Sequence, residues 1–241
     1  MNSTTSLSAI SHLLNHRPTS IKKLIVFIPR DKASTRIATL LDQAEAQGVA
    51  MDYQPTPKSK NTEPVEPLLA QLNPFHYTEW KPFLSELSSR KDSWILALDH
   101  LQDPQNFGAL CRTAEGLGWH GVVIPKDRSA LVTSGVYSAS VGAVETLPIT
   151  QVTNLSEALK KLKDAGYWIV GTSLTEKSQT LTQLPSLEKV VLVLGTELEG
   201  ISSLVERHCD FLVKIPLSGK VQSLNVSATG AILMNALKTN C

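Results

Sequence analysis

Three stretches of this chain place polar side chains where chemistry is a natural reading. The first is Asp103-Pro104-Gln105-Asn106-Phe107-Gly108-Ala109-Leu110-Cys111-Arg112. Asn106 suits a helix cap, and Arg112 falls about one and a half turns into the helix that follows. A guanidinium there can hold a phosphate or steady a developing negative charge. It can equally pair with Glu115 on a solvated face. The second stretch is Gly195-Thr196-Glu197-Leu198-Glu199-Gly200, a carboxylate between glycines that let a ligand come close to the backbone. The plainer reading is an acidic first turn favoured by the dipole of a helix starting near Gly200. The third runs from Ile215-Pro216-Leu217 to Ser223-Leu224-Asn225-Val226-Ser227 and opens into Ala231-Ile232-Leu233 and Ala236-Leu237. Ser223, Asn225 and Ser227 are all good N-cap residues, and a helix N-terminus rich in hydroxyls and amides suits a polar ligand. It also suits a strand–loop–helix connection with a redundant cap.

The elements that must position these stretches follow from the apolar pattern. Continuous apolar runs at 94–98, 121–124, 167–171, 190–194 and 211–215 predict buried strands. Helical spacing at 106–117, 154–165, 200–207 and 227–238 separates them. Asn154 with Glu157 resembles a capping box, and Gly166 stands where that helix should stop. Strands alternating with helices predict an α/β fold, a mostly parallel sheet with helices on both faces. All three stretches then leave the same sheet edge, where open α/β sheets place their sites. Upstream, a short helix is expected over 7–16. A small βαβ-type unit should follow, from the strand Leu24–Ile28, the helical spacing of Ile37, Leu40, Leu41 and Ala44, and an extended piece from Val49. Pro55, Pro57, Pro64 and Pro67 alternate with charges and mark a linker at 55–67. Residues 68–91 hold one more strand and one more helix. The polar run at 88–92 sets a domain boundary, giving 1–90 and 91–241.

Composition narrows the function. The chain has 241 residues, is 42% hydrophobic and 19% charged, and carries a net charge of +1, so no polycationic surface announces a nucleic-acid partner. Cys111, Cys209 and Cys241 form neither a CxxC pair nor a disulfide framework, and the six histidines form no ligand-spaced cluster. No metal is expected. No leader and no membrane-length apolar run is seen, so a soluble cytoplasmic protein is expected. Gly116-Leu117-Gly118-Trp119-His120-Gly121 fits GxGxxG but follows a helix and precedes a strand, the reverse of a dinucleotide fingerprint.

Taken in order, NFGALCRTAE, VLVLGTELEG and IPLSGKVQSLNVSATGAILMNAL resemble the three signature motifs of the SpoU branch of the SPOUT RNA methyltransferases, over about residues 94–238. Lys126-Asp127-Arg128-Ser129 and Val141-Gly142-Ala143-Val144-Glu145 are similar to the bacterial 23S rRNA guanosine 2′-O-methyltransferases of that branch. The N-terminal part resembles their small RNA-binding domain, although Val65-Glu66-Pro67 stands where the family has His-Gln-Gly. The resemblance implies S-adenosylmethionine as cofactor, RNA (rRNA first, tRNA as the alternative) as substrate, a homodimer and a C-terminal trefoil knot. It further implies that Gly195, Ile215 and Leu224 contact the cofactor, with Leu217 and Thr172 beside them. Asn106, Arg112, Glu197, Ser223 and Asn225 would line the catalytic site, several of them across the dimer interface. Glu197 would orient Arg112 or a ribose hydroxyl. A non-catalytic RNA-binding or ribosome-assembly protein with the same fold is the rival class.

Overall fold

The computed structural model describes residues 2–57, 66–175, 178–197 and 199–239. Most of the expected linker, and Leu198 of the second stretch, lie outside these described residues.

The N-terminal part builds a four-stranded sheet. Its elements are β1 (Ser3–Thr4), α1 (Leu7–His16), β2 (Ile21–Val26), α2 (Thr35–Ala46), β3 (Met51–Tyr53) and β4 (Leu68–Leu72), with strand order β1-β4-β2-β3. β2, α2 and β3 form the expected βαβ unit with β2 and β3 parallel, while β4 returns antiparallel. α2 presents Ile37, Leu40, Leu41 and Ala44 to the core, the residues whose spacing foretold it. Gly48 ends it with φ 67, a left-handed turn that glycine adopts freely.

The rest of the chain forms α3 (Trp80–Ser88), β5 (Ser93–Leu98), α4 (Pro104–Gly116), β6 (Gly121–Pro125), α5 (Ser134–Ser140), β7 (Ile149–Val152), α6 (Leu155–Asp164), β8 (Trp168–Thr172), β9 (Lys189–Leu194), α7 (Ser203–Glu206), β10 (Phe211–Val213) and α8 (Val226–Thr239). Six of these strands make one parallel sheet in the order β10-β8-β9-β5-β6-β7. Alternation along the strands sorts the core into two faces. Trp94, Leu96 and Leu98 point to the side of α4, α5 and α8, whereas Ile95 and Ala97 point to the side of α3, α6 and α7. α3 precedes the sequence boundary at 90/91, yet Phe83 and Leu87 pack on the large sheet's second face. The first face shares a continuous apolar cluster with the N-terminal sheet, from Ile10 and Leu24 through to Leu233.

The order of strands reverses between β5 and β9. β6 and β7 extend the sheet on one side of β5, and β9, β8 and β10 lie on the other. The segment between β8 and β9 passes round the far side of β10. There the Gln179 amide donates to the Leu212 carbonyl at 2.9 Å, and the Lys214 amide donates to the Gln179 carbonyl at 3.0 Å. β10 is thus flanked by β8 on one side and by the loop leaving β8 on the other.

Several boundaries differ from the sequence reading. The helix expected at 200–207 is only α7, because Gly200 is instead held by Thr196, the two exchanging backbone hydrogen bonds at 3.0 Å. Asn106 is not the cap of α4. Asp103 is, accepting from the amides of Gln105 and Asn106, with Pro104 in the first helical position where its missing N–H costs nothing. β7 and α5 were not expected at all.

Candidate active site

The three stretches converge at the C-terminal edge of the large sheet, at the switch between β5 and β9, where this architecture opens a crevice. α4 leaves β5 carrying Asn106 in its first turn. The turn after β9 carries Glu197, and the long connection after β10 delivers Asn225 to the start of α8. The Asn225 amide donates to Glu197 Oε1 at 2.6 Å and to Asn106 Oδ1 at 2.9 Å, and the Asn106 amide reaches the same Glu197 oxygen at 3.4 Å. The Val226 amide, at the N-terminus of α8, also donates to Glu197 Oε1 at 3.2 Å. Asn225 Oδ1 accepts from the Ser227 amide at 2.9 Å, so Asn225 caps α8 while its other end serves the cluster.

Glu197 therefore feels a helix N-terminus, as its sequence suggested, but that of α8 rather than α7. One carboxylate oxygen gathers donors from elements about 90 and 30 residues away in the chain. Charge-assisted bonds of this kind are roughly twice as strong as neutral ones, so the cluster locks the entrance of α8 to the β9 turn.

Behind the cluster lies a cavity of about 480 Å3, which Thr172, Gly195, Glu197, Ile215, Leu217, Ser223 and Leu224 all help to line. All five residues expected to hold a cofactor thus face one space, contributed by three connections. Gly195 is required for its shape: a Cβ there would lie 1.9 Å from the Gly200 carbonyl oxygen, so no other residue lets the turn fold back this tightly. Leu194, Ile201, Val213, Val226 and Leu233 supply an apolar floor, and Lys214 and Glu206 add charges that the sequence reading had not singled out.

Ser223 lines the cavity but is exposed and outside the Asn106–Glu197–Asn225 cluster. Arg112 is exposed on α4, has no hydrogen bond or ion pair among the described residues, and lies outside the cavity wall. The expected contact with Glu197 is not made within this chain, and neither is the alternative pair with Glu115. Asp99, at the end of β5, was noticed in the sequence only as a neighbour of His100. It is buried and accepts the Ser202 amide at 2.6 Å, tying the strand end to the β9 turn.

Covalent thiol chemistry has no support at this site. Burial raises the Cys111 thiol far above its ordinary range and pushes Cys209 up to about 12.

Residues 93–235 match the SpoU rRNA Methylase family, and the chain belongs to that family. It is 36% identical over 198 residues to a putative TrmH family tRNA/rRNA methyltransferase, YacO, of Bacillus subtilis, covering 81% of this chain and 79% of that protein. A putative RNA methyltransferase of the TrmH family from Porphyromonas gingivalis superposes with a TM-score of 0.75 at 25% identity, over 100% of this chain and 90% of that one. The SpoU methyltransferase AviRb from Streptomyces viridochromogenes, in complex with AdoMet, shares the fold with a TM-score of 0.77 at 20% identity, over 98% and 89% of the two chains.

Proposed function

We propose that this chain transfers a methyl group from S-adenosylmethionine to a ribose 2′-hydroxyl of RNA, with a guanosine of 23S rRNA as the substrate placed first. The observation that carries this reading is the Asn106–Glu197–Asn225 cluster standing at the mouth of the cavity lined by Thr172, Gly195, Ile215, Leu217 and Leu224. A space of about 480 Å3 falls within the usual range for small-ligand sites, and its apolar floor, with Thr172, Glu197 and Ser223 among the lining residues, suits a nucleoside. S-adenosylmethionine, when bound, supplies an electrophilic methyl group on a sulfonium.

The chain's own residues then have three tasks. The cluster fixes the β9 turn and the α8 entrance, so that the acceptor hydroxyl meets a pre-set geometry. Positioning of this kind is worth up to about 7–11 kcal/mol. Arg112 binds the phosphate beside the target ribose and stabilises the developing alkoxide. Its free guanidinium points to an incomplete site, and we assign it to the site of a second copy, in a homodimer built along α4 and α8. The exposure of Ile232 on α8 supports that face. Residues 1–90 serve as the RNA-binding domain and 91–241 as the transfer domain, with α3 packed on the latter. The path of the β8–β9 connection round β10 supports a trefoil knot, in which the chain after β10 passes through that loop to reach α8.

The name of the Bacillus subtilis relative keeps tRNA as a second substrate. The test is methyl transfer from radiolabelled S-adenosylmethionine to total rRNA and total tRNA from cells lacking the protein, with Arg112→Ala alongside. The expected result is label in 23S rRNA, reduced on the order of 10²–10³-fold in the variant while cofactor binding holds. Label in tRNA alone moves the substrate. No label in either pool despite cofactor binding favours a binding role, and equal turnover by Arg112→Ala removes the arginine from the mechanism.

A further inference from the structure

We propose that Arg128, aimed by His100 and the buried Asp99, anchors an RNA phosphate between the transfer site and the N-terminal sheet; this rests on the RNA methyltransferase reading above. Asp99 is 2% exposed and uses both carboxylate oxygens. One accepts the Ser202 amide at 2.6 Å, and the other faces His100 Nδ1 at 2.6 Å. His100 Nε2 lies 3.3 Å from Arg128 Nη2. A guanidinium only donates, so Nε2 accepts and the ring proton sits on Nδ1, directed at Asp99. The buried carboxylate thereby fixes the imidazole, and the imidazole fixes the guanidinium.

Two further facts separate this chain of contacts from an ordinary surface pairing. His100 and Arg128 both adopt left-handed backbone, with φ 58 and φ 53; among the described residues Val141 is the one other non-glycine to do so. Such conformations persist where the surroundings over-determine them, often at ligand-holding sites. Arg128 is also exposed and paired with no carboxylate among the described residues, although Asp127 is its neighbour. Arg30, by contrast, is taken up by Asp42 and Glu45. A planar fork held by a neutral imidazole keeps its charge for an anion from outside.

Its position says which anion. The connection from β6 to α5 begins on the transfer edge, where the Ala130 amide donates to the Leu101 carbonyl at 2.7 Å, just ahead of α4. It ends against the N-terminal part: Tyr77 Oη accepts the Val132 amide at 3.0 Å, and Ser134 Oγ accepts the Ser3 amide at 3.1 Å. An RNA that engages both parts crosses this connection, and phosphate contacts are what set the register of a bound strand.

The experiment measures binding of unmodified, in vitro-transcribed 23S rRNA and of total tRNA across a salt series. Wild type, Arg128→Ala, Arg128→Lys, His100→Gly and the double variant His100→Gly/Arg128→Ala are compared. Arg128→Ala should weaken RNA binding about three- to tenfold and lower the salt slope by roughly one phosphate contact. KM for RNA should rise while kcat at saturating RNA and calorimetric S-adenosylmethionine binding hold. Arg128→Lys should recover the slope but only part of the affinity. His100→Gly accepts the left-handed φ but leaves the buried Asp99 Oδ1 without its partner, so its melting temperature should fall modestly and its RNA affinity, measured on folded protein, should fall as well. The double variant should bind RNA no worse than Arg128→Ala, as for two residues acting as one unit. Unchanged affinity and slope in Arg128→Ala overturn the anchor while leaving the methyltransferase reading intact. Additive losses in the double variant overturn the role of His100. A wild type that neither binds nor methylates either RNA overturns both readings together.

Discussion

The two edges of the six-stranded sheet use polar side chains in different ways. At the N-terminal edge they serve the fold. Tyr167 Oη donates to Ser93 Oγ at 2.8 Å inside the core, and the His120 ring stacks on Trp94 at 5.4 Å and accepts the Trp94 amide. Lys238 holds the Leu117 carbonyl at the end of α4, and Lys189 the Ser88 carbonyl at the end of α3. At the C-terminal edge polar groups bind one another across long stretches of sequence and stay in reach of water. Glu197 and Asn225 are exposed and Asn106 is half-buried, Arg112 and Arg128 have no carboxylate partner among the described residues, and His100 and Arg128 hold uncommon backbone. The same strands thus end in stabilising contacts below and in unspent charge above, which is what a binding edge on a rigid scaffold requires.

The largest expected effect of breaking this contrast is at Gly195. Gly195→Ala forces a methyl group to within 1.9 Å of the Gly200 carbonyl oxygen, and the turn must open. S-adenosylmethionine binding, read by calorimetry, should fall below detection, with loss of transfer. Retention of wild-type affinity would mean that the cavity behind Glu197 does not hold the cofactor. Next is Glu197→Gln, which keeps size but replaces the shared anionic acceptor of Asn106, Asn225 and Val226 with a neutral amide. Transfer should drop about 10–100-fold through misplacement of groups, with little change in melting temperature. A variant that transfers normally would reduce the cluster to a helix clamp.

How much of this was legible in the sequence depends on how local each feature is. Strands 94–98 and 190–194 are apolar throughout because both faces are covered, and the helix over 154–165 showed its cap, its periodicity and its stop. The five residues expected to hold a cofactor, and Glu197, were singled out by their motifs, and all six line one cavity. What failed was non-local. α5 is built from Ser134-Gly135-Val136-Tyr137-Ser138-Ala139-Ser140, all but Ala139 middling or poor helix formers, and it folds because Val136 and Tyr137 are buried against the neighbouring elements. β7 is a four-residue edge strand with Gln151 half-exposed, too short and too polar to read as a core strand. The cap of α4 was misplaced by three residues because Asn106 looked like a cap, whereas Asp103 before Pro104 is the stronger signal. The donors of Glu197 come from distant segments, which no local pattern reveals.

At the opposite edge the expected effect is on folding alone. Ser93→Ala removes the acceptor of the buried Tyr167 hydroxyl and should cost about 1–3 kcal/mol, read as a lower urea midpoint. Cofactor affinity and kcat should not change. A fall in kcat at saturating RNA, in protein that is still folded, would show that the two edges are coupled and would remove the contrast.

The smallest effect is a pH dependence of stability that belongs to the same supporting contacts. His120 is held below its ordinary pKa of 6.5, first by burial and then by Arg90 and Lys238, with Asp92 opposing. His12, whose Nε2 lies 3.3 Å from Thr146 Oγ1, is lowered first by burial and then by His16, with Glu115 opposing. A lowered pKa means that the folded chain binds these protons less readily than the unfolded chain does. Between the folded-state value and about 6.5 the unfolded state therefore carries more protons, and stability rises with pH. The contribution is complete above about 6.5 and is lost as the pH falls through that window. Urea unfolding at pH values of about 7.5 and 5.5, either side of the ordinary histidine pKa, should show a lower midpoint in acid, and His120→Asn should flatten part of the difference. Calorimetric S-adenosylmethionine affinity should stay level over the same interval, because neither histidine reaches the cavity. An unchanged midpoint would mean that solvent screening cancels the burial of both rings; a falling affinity with a steady midpoint would place a titrating group on the binding edge instead.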